Sequence, residues 1–239
     1  MKILGVIPAR YASTRFPGKP LADINGKPMI QCVYEQALKC KELTQVVVAT
    51  DDARIEAAVK KFNGRVVMTS DKHESGTDRC YEALTKVGGA FDVVINIQGD
   101  EPFIQPEQIA KVANCFSGSG AGGEVQLATL VMKMNGMEEL SNPNVVKATI
   151  SKNKEALSFS RKAGEAPVYY RHIGLYGYRA DILAEITKLK RSPLEIAESL
   201  EQLRWLENGY RIAVEFTEIE SISIDTPEDL KKALAKFSQ

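Results

Sequence analysis

Apolar and amphipathic stretches alternate regularly in the first half of the chain. Short apolar runs predict strands near residues 2–8, 45–50, 65–69 and 92–98. The amphipathic stretches between them predict helices near residues 28–40, 52–62, 77–87 and 106–116. Because strands separated by helices of this length usually form a parallel sheet with crossover connections, the pattern indicates a doubly wound, mostly parallel α/β fold.

The alternation becomes less regular after Gln126. Strands are predicted at residues 126–134, 145–150, 156–159 and 173–178, and helices at 180–189 and 194–207. Strands at 212–217 and 221–224 precede a final helix from Pro227, for which Thr226 and Asp229 have the spacing of a capping box. We therefore predict a single α/β domain, residues 1–239, with a smaller mixed β region inserted at about residues 126–210.

The composition is that of an ordinary globular protein, with 44% hydrophobic and 26% charged residues among 239. Lys plus Arg and Asp plus Glu both number 31, so no overall field favours nucleic acid or an anionic membrane as a partner. The apolar runs are too short to span a bilayer, and the start of the chain lacks the pattern of a signal peptide. We therefore expect a cytoplasmic protein in which any phosphate binding comes from local clusters of cations.

Such a cluster follows the first predicted strand. Arg10, Arg15 and Lys19 place three cations within ten residues, and Ser13 and Gly18 lie between them. Ligands of open α/β sheets bind beyond the carboxyl ends of the strands, and cations with small residues suit a polyphosphate. A solvated basic loop explains the charges but not the small residues and prolines. The patterns GxxxxGK[ST] and GxGxxG do not occur, which disfavours P-loop NTPases and dinucleotide oxidoreductases.

Two aspartates occupy equivalent places at the ends of predicted strands. Asp100 follows strand 92–98 and a permissive glycine, and Asp225 follows strand 221–224. Because Mg²⁺ takes few protein ligands and keeps phosphate oxygens and water, two separated aspartates suffice for a magnesium site. A turn residue at position 100 and a helix cap at position 225 are the alternatives.

A third loop on the same rim connects strand 65–69 to the next helix. Ser75, Gly76 and Thr77 can contact a base and a ribose through backbone and hydroxyl groups. Arg79 can bind a phosphate or be a charge on the helix surface. This loop is therefore a candidate for nucleotide selection.

The unbroken segment from Ile7 to Leu21 (IPARYASTRFPGKPL) resembles the opening of the 3-deoxy-manno-octulosonate cytidylyltransferases, the CMP-Kdo synthetases. Residues 23–30, 170–179, 200–204 and 225–230 resemble further motifs of that family. The resemblance implies a nucleotidyltransferase that is a homodimer and transfers CMP from CTP to 3-deoxy-D-manno-octulosonate (Kdo) for lipopolysaccharide biosynthesis. It also implies Mg²⁺ bound by Asp100 and Asp225.

The resemblance also implies roles for residues around the substrates. CTP contacts are expected from Arg10, Ser13, Lys19, Ser75, Gly76, Arg79 and Gln98, with Arg10, Arg15, Lys19, Asp100 and Asp225 forming the catalytic set. Kdo contacts are expected from Arg15, Gln98, Arg161, His172, Tyr176, Glu201 and Gln202.

The residue types expected around the sugar also suit it chemically, because an acidic sugar needs cationic and donor-rich surroundings. On a strand, His172, Gly174, Tyr176 and Tyr178 share one face, so His172 and Tyr176 can face one pocket. A core histidine with packed tyrosines is the alternative, and a solvated face is the alternative for the pair at 201–202.

Besides another sugar nucleotidyltransferase that uses a different base or a sugar phosphate, two alternatives to Kdo transfer stay open at this point. The first is a cytidylyltransferase for 8-amino-Kdo or another acidic sugar, because residues 162–167 differ from the proline-containing segment that family members carry after Phe-Ser-Arg. The second is a nucleotide-binding regulator without catalytic activity. Release of pyrophosphate separates the second alternative from an enzyme.

Overall fold

The computed structural model describes residues 1–120, 123–134, 136–166 and 168–237. Pro167, the last residue of the altered segment, lies outside the described residues. The elements up to residue 114 are β1 (Ile3–Ala9), β2 (Asp23–Ile24), β3 (Lys27–Pro28), α1 (Met29–Leu38), β4 (Gln45–Thr50), α2 (Ala53–Lys61), β5 (Val66–Met68), α3 (Gly76–Val87), β6 (Val93–Asn96) and α4 (Pro106–Asn114).

The elements that follow are β7 (Ser119–Gly120), β8 (Gly123–Glu124), β9 (Leu127–Lys133), α5 (Met137–Ser141), β10 (Lys147–Ile150), β11 (Ala156–Ser160), β12 (Tyr170–Arg179), α6 (Ala180–Ile186), α7 (Pro193–Glu198), α8 (Gln202–Glu207), β13 (Ile212–Phe216) and α9 (Pro227–Phe237). Within the described ranges, no helix has the length and apolar character needed to cross a membrane.

The chain divides into two compact units. The first unit comprises residues 1–110 and 221–239, and the second comprises residues 111–220. In the first unit, parallel strands are ordered β6-β1-β4-β5, with Gly5 opposite both Ile95 and Val46. Strands β1, β4 and β6 are largely apolar and largely buried, as expected of a parallel sheet with helical crossovers. The predicted mostly parallel α/β core is confirmed.

The second unit contains the predicted smaller mixed β region. Its strands are ordered β11-β10-β12-β9-β13, and all neighbours are antiparallel except β9 and β13. The pairing of β12 with β9 shifts register between Ile173 and Tyr176, which marks a β-bulge in the longest strand. Such bulges re-aim the side chains beside them.

Two predicted elements are wrong. The helix at 194–207 is two helices, α7 and α8, because Ser199 adopts a left-handed conformation (φ 53°, ψ 48°) that ends α7. Residues 221–224, all of which the structure describes, do not form a strand. Ile222 and Ile224 instead pack against a core that includes Met29, and the Ile224 N–H donates to the carbonyl of Asp100 at 2.9 Å.

The capping box of the last helix is as predicted. The Asp229 N–H donates to Thr226 Oγ1 at 3.2 Å, and the Thr226 N–H donates to the Asp229 carboxylate at 2.9 Å. The Asp225 N–H donates to the same carboxylate at 3.2 Å. The start of α9 therefore fixes the backbone of Asp225.

Candidate active site

A cavity of about 270 Å³ lies in the first unit beyond the carboxyl ends of β1 and β6. Its walls come from the loop after β1, the start of α3, the loop after β6 and the segment before α9. It brings together every residue predicted for CTP, catalysis or metal binding. The lining residues are Pro8, Ala9, Arg10, Ser13, Arg15, Lys19, Pro20, His73, Glu74, Ser75, Gly76, Arg79, Gln98, Gly99, Asp100 and Asp225.

The loop after β1 is folded back on itself. The Gly18 N–H donates to the carbonyl of Tyr11 at 3.0 Å, and Ser13 Oγ accepts from the Phe16 N–H at 3.3 Å. Gly18 has φ 71°, and a Cβ there would lie 3.1 Å from the Tyr11 ring. Only glycine meets both demands without strain. This turn leads directly into Lys19, whose side chain reaches the acidic side of the cavity.

Lys19 connects the two predicted metal ligands. Its Nζ lies 2.6 Å from Asp100 Oδ2 and 3.2 Å from Asp225 Oδ1. Arg15 also contacts Asp225, with 3.1 Å between Nη2 and Oδ1. The Lys19 side chain is only 14% exposed, whereas that of Arg15 is 66% exposed. Two carboxylates far apart in sequence therefore meet at one ammonium group.

A close approach between loops helps to bring Asp100 to this position. A Cβ on Gly99 would lie 2.7 Å from the carbonyl oxygen of Pro8, closer than real side chains come to backbone atoms. Position 99 therefore requires glycine where the ends of β1 and β6 meet. From the other side, the backbone bond from Ile224 to Asp100 holds the segment that carries Asp225.

The residues present fit a magnesium ion. Both aspartates place an oxygen within hydrogen-bonding reach of Lys19 Nζ, so the two carboxylates converge on one point of the cavity. Among the residues that the structure describes, no group of three or more His, Cys, Asp or Glu side chains could hold a metal. A site with two carboxylates suits Mg²⁺, which keeps water and phosphate oxygens in its remaining positions.

The start of α3 forms another wall of the cavity. Ser75 caps the helix by accepting from the Asp78 N–H at 3.1 Å, and its hydroxyl donates to the Asp78 carboxylate at 2.9 Å. At Gly76, a Cβ would lie 3.4 Å from the Asn96 amide, so the backbone there is close to the end of β6. Backbone N–H groups at a helix start favour negative charge nearby.

Arg79 lies inside the wall and not on the helix surface. It is 4% exposed and donates to Thr69 Oγ1 at 2.6 Å and to Asp51 Oδ2 at 2.7 Å. Its charge is therefore already paired where it borders the cavity, and the alternative of a surface charge is wrong.

Sequence reasoning missed His73 as a wall residue. The loop before α3 folds inward, and His73 pairs with Glu82 on that helix. Burial alone would raise the pKa of Glu82. Bonds from Lys86, the Ser70 N–H and His73 outweigh burial and lower the pKa to about 2. The polar run from 71 to 74 shows a loop but not its direction, so nothing in the sequence identified this pair.

The second unit contains a cluster of aromatic side chains, which we call the ring cluster. His172 lies 5.0 Å from Phe159 and 5.3 Å from Tyr176, measured between ring centroids. Tyr176 and Tyr178 stack at 6.2 Å, and the Trp205 indole stands edge-on to both, at 5.1 and 5.6 Å. His172 and Tyr176 therefore lie side by side among packed rings.

Burial keeps the ionisable rings of this cluster neutral. It lowers the pKa of His172 to about 3. Burial is also the main cause that raises the pKa of Tyr176, with smaller contributions from Tyr178 and Glu201. Thr129 Oγ1 lies 3.0 Å from His172 Nε2 and 2.9 Å from the carbonyl of Leu175. Because the hydroxyl gives its one hydrogen to a carbonyl, His172 Nε2 carries the ring proton and donates it to Thr129.

The remaining residues predicted for the sugar are spread over several elements of the fold. Gln202 is 5% exposed at the start of α8, and Glu201 precedes it, half-buried. Arg161 follows β11, where its Nε donates to the carbonyl of Glu198 at 2.8 Å and its Nη1 to that of Pro143 at 3.3 Å. Arg161 is therefore tied to backbone carbonyls of its own unit. Arg15 and Gln98, also predicted for the sugar, line the cavity of the first unit.

Comparison with known proteins adds independent information. Residues 4–222 match the model of the cytidylyltransferase family. A 3-deoxy-manno-octulosonate cytidylyltransferase from Parabacteroides distasonis is 59% identical, with 98% of each chain covered. The protein of that name from Geobacter metallireducens is 45% identical over 100% of this chain and 99% of the relative.

Two solved structures are also similar to this chain. A structure of CMP:2-keto-3-deoxy-manno-octonic acid synthetase complexed with CTP is 41% identical, has a TM-score of 0.93 and covers 100% of this chain and 99% of its own. A cytidylyltransferase from Leptospira borgpetersenii, 18% identical with a TM-score of 0.67, covers 100% of this chain and 87% of its own and shares the fold. The resemblance inferred from the sequence motifs is confirmed. The chain therefore belongs to the family of 3-deoxy-manno-octulosonate cytidylyltransferases.

Proposed function

We propose that this enzyme transfers CMP from CTP to Kdo, forming CMP-Kdo and pyrophosphate and so activating Kdo for lipopolysaccharide biosynthesis. The observation that carries the proposal is the convergence of Asp100 and Asp225 on the Lys19 ammonium within a cation-lined cavity at the strand ends. This arrangement suits a nucleoside triphosphate with a divalent cation, and the relatives of this chain are named for the same reaction.

On the nucleotide side, the side chains act by charge and position. Arg10, Arg15 and Lys19 bind the β- and γ-phosphates and stabilise the pyrophosphate as it leaves. Ser13 and Gln98 contact the nucleotide, and the backbone around Ser75 and Gly76 selects cytosine. Arg79, held by Asp51 and Thr69, contributes a positive charge in a fixed place.

The reaction is a direct displacement at the α-phosphorus of CTP. The anomeric hydroxyl oxygen of Kdo forms a bond to phosphorus, the bond from phosphorus to the pyrophosphate oxygen breaks, and the hydroxyl proton leaves to solvent. Asp100 and Asp225 would hold Mg²⁺, and the bound ion would supply positive charge that neutralises the phosphates. Chemistry of this kind depends mainly on alignment and charge neutralisation.

On the sugar side, the second unit supplies most of the recognising groups. The neutral phenol of Tyr176 donates to the sugar, and His172, with its proton on Nε2, presents Nδ1 as an acceptor. Glu201 and Gln202 bind hydroxyl groups, and Arg161 faces the carboxylate of the acidic sugar. We propose Kdo as the substrate because the relatives at 45–59% identity are named for it.

The homodimer and the cytoplasmic location stay predictions. Apolar side chains of the second unit support association, because Leu157 is 62% exposed and Ile196 is 59% exposed. Sedimentation velocity across a range of concentrations tests for the homodimer, and a single species of about 26 kDa would contradict it.

A pyrophosphate-release assay across a panel of substrates tests the function. CTP with Kdo should give turnover well above UTP with Kdo or CTP with glucose 1-phosphate, and CTP with 8-amino-Kdo measures the alternative sugar. Equal rates with glucose 1-phosphate would contradict the assignment of an acidic sugar.

Removal of divalent cations tests the metal. EDTA should abolish turnover and excess MgCl₂ should restore it, while the melting temperature stays unchanged because Lys19 pairs both aspartates without metal. Undiminished turnover in EDTA would refute the metal assignment and leave the substrate assignment intact.

A further inference from the structure

Trp205 is the only tryptophan in the chain and lies at the centre of the ring cluster. It is 1% exposed on α8, and its indole is nearly perpendicular to Tyr176 and Tyr178, at 86° and 87°. Both tyrosines belong to β12. The indole is therefore a direct contact between α8 and β12.

The same two elements carry most of the side chains assigned to the sugar. Tyr176 and His172 lie on β12, whereas Glu201 and Gln202 lie at the start of α8. Positions 201 and 202 come four and three residues before Trp205, which is the spacing of neighbours on one helix side. The carboxylate of Glu201 is close enough to contribute to the raised pKa of Tyr176. The position of the indole therefore sets the separation between the two groups of sugar ligands.

The ring cluster also contains polar atoms that point to a ligand. Tyr176 Oη and Trp205 Nε1 are buried and have no hydrogen-bond partner within the part of the chain that the structure describes. Buried donors of this kind are costly unless a ligand or water completes them. Tyr176 is 92% buried, so its hydroxyl is held in place before any ligand arrives.

We propose that Trp205 is a positioning residue for the acidic-sugar pocket, holding Tyr176 at a fixed place relative to Glu201 and Gln202. The inference rests on the proposed function, because it takes Tyr176 as a sugar ligand. The indole acts through its ring, by edge-to-face contacts with two tyrosines, and it does not itself touch the reacting atoms.

Steady-state kinetics with separate variation of Kdo and CTP test this role. Trp205→Leu removes both ring contacts and should raise the KM for Kdo roughly 10-fold, with the KM for CTP within about 2-fold of wild type. Trp205→Phe keeps a ring and should restore the KM for Kdo to within about 3-fold of wild type. A Phe variant as impaired as the Leu variant would overturn positioning by the ring.

Phe216→Leu is the matched control. It removes another edge-to-face pair of the second unit, with Tyr170 at 5.3 Å, without touching the ring cluster. This variant should lower the melting temperature and leave the KM for Kdo unchanged. If Trp205→Leu behaves in the same way, the indole is only a core side chain and the inference fails.

Fluorescence of the wild-type protein provides a readout without any variant or turnover. Because Trp205 is the sole tryptophan, its emission reports on the ring cluster. Kdo added with CTP in the presence of EDTA should change the emission, whereas CTP alone should not. Unchanged emission at saturating Kdo, in a protein that turns over Kdo, would overturn the inference; absence of turnover would instead overturn the proposed function.

Discussion

The cavity of the first unit is lined by charged side chains on loops, whereas the ring cluster of the second unit consists of aromatic side chains on a strand and a helix. In the cavity, the cations Lys19 and Arg15 pair with the carboxylates Asp100 and Asp225, and all four side chains stay partly exposed. In the ring cluster, burial keeps His172 and Tyr176 uncharged. Side chains that are paired with each other can instead pair with a charged substrate. Buried neutral donors, by contrast, select the shape and hydroxyl pattern of a ligand.

The largest expected effect is loss of a carboxylate from the cavity. Asp100→Asn keeps the shape of the side chain but removes the negative charge that Lys19 and a divalent cation require. We expect kcat/KM for pyrophosphate release to fall by about 10²–10³-fold, with the protein still folded. Asp23→Asn, at an exposed residue that caps the Gly26 N–H, should keep full activity. Full turnover in Asp100→Asn would contradict the assignment of Asp100 to the catalytic set.

The two basic contacts of Asp225 should differ in importance. Lys19→Met removes a cation that is 14% exposed and should lower kcat/KM about 10²-fold, whereas Arg15→Gln, at 66% exposure, should lower it about 10-fold. The deficit of the Arg15 variant should shrink as NaCl is raised, because an exposed charge is screened. Lys27→Met, which breaks an exposed pair with Glu35, is the control for a general change of charge. A larger loss at Arg15 than at Lys19 would reverse the proposed order.

The stability of the folded protein should decrease in acid because His172 of the ring cluster is neutral. The pKa of His172 falls from an unfolded value near 6.5 to about 3 in the folded protein. The unfolded state therefore binds more protons between pH 6.5 and 3, and stability declines as pH falls through that window. Between pH 7 and pH 5, the free energy of unfolding of His172→Gln should fall by about 1–2 kcal/mol less than that of wild type, as measured by urea unfolding.

His73→Gln is the control for that experiment, because it removes the other histidine and leaves His172 in place. Because it keeps His172, this variant should show the steeper decline in stability of the wild-type protein over the same interval. Parallel pH profiles for wild type and His172→Gln would show that His172 is not held neutral by burial.

The smallest expected effect compares the capping boxes of the two units. Thr226→Ala removes the box that fixes Asp225, and Ser192→Ala removes the box of α7, formed with Glu195. Each should cost about 1 kcal/mol and lower the melting temperature by a few degrees. Only Thr226→Ala should also raise the KM for CTP, because Asp225 is its neighbour. An equal rise in Ser192→Ala would show that the loss of a cap, and not the placement of Asp225, weakens nucleotide binding.

Local patterns were sufficient for much of the fold and for the charged site. Apolar runs located β1, β4 and β6 because a buried parallel strand needs consecutive apolar residues. The same pattern failed at residues 221–224, where packing and not strand pairing buries Ile224 and partly buries Ile222. It also failed at Ser199, because serine, unlike glycine, does not predict a left-handed conformation at the end of a helix.

The sequence by itself determined the α/β architecture, the basic loop from Arg10 to Lys19 and the two candidate aspartates, because these depend on residue type and on neighbours along the chain. Only the tertiary structure decided that Asp100 and Asp225 share one ammonium, that Arg79 is buried against Asp51, and that Trp205 contacts Tyr176. The physical reason is that each of these contacts joins residues distant in sequence. Their distances and burial exist only once the folded backbone has brought those segments together.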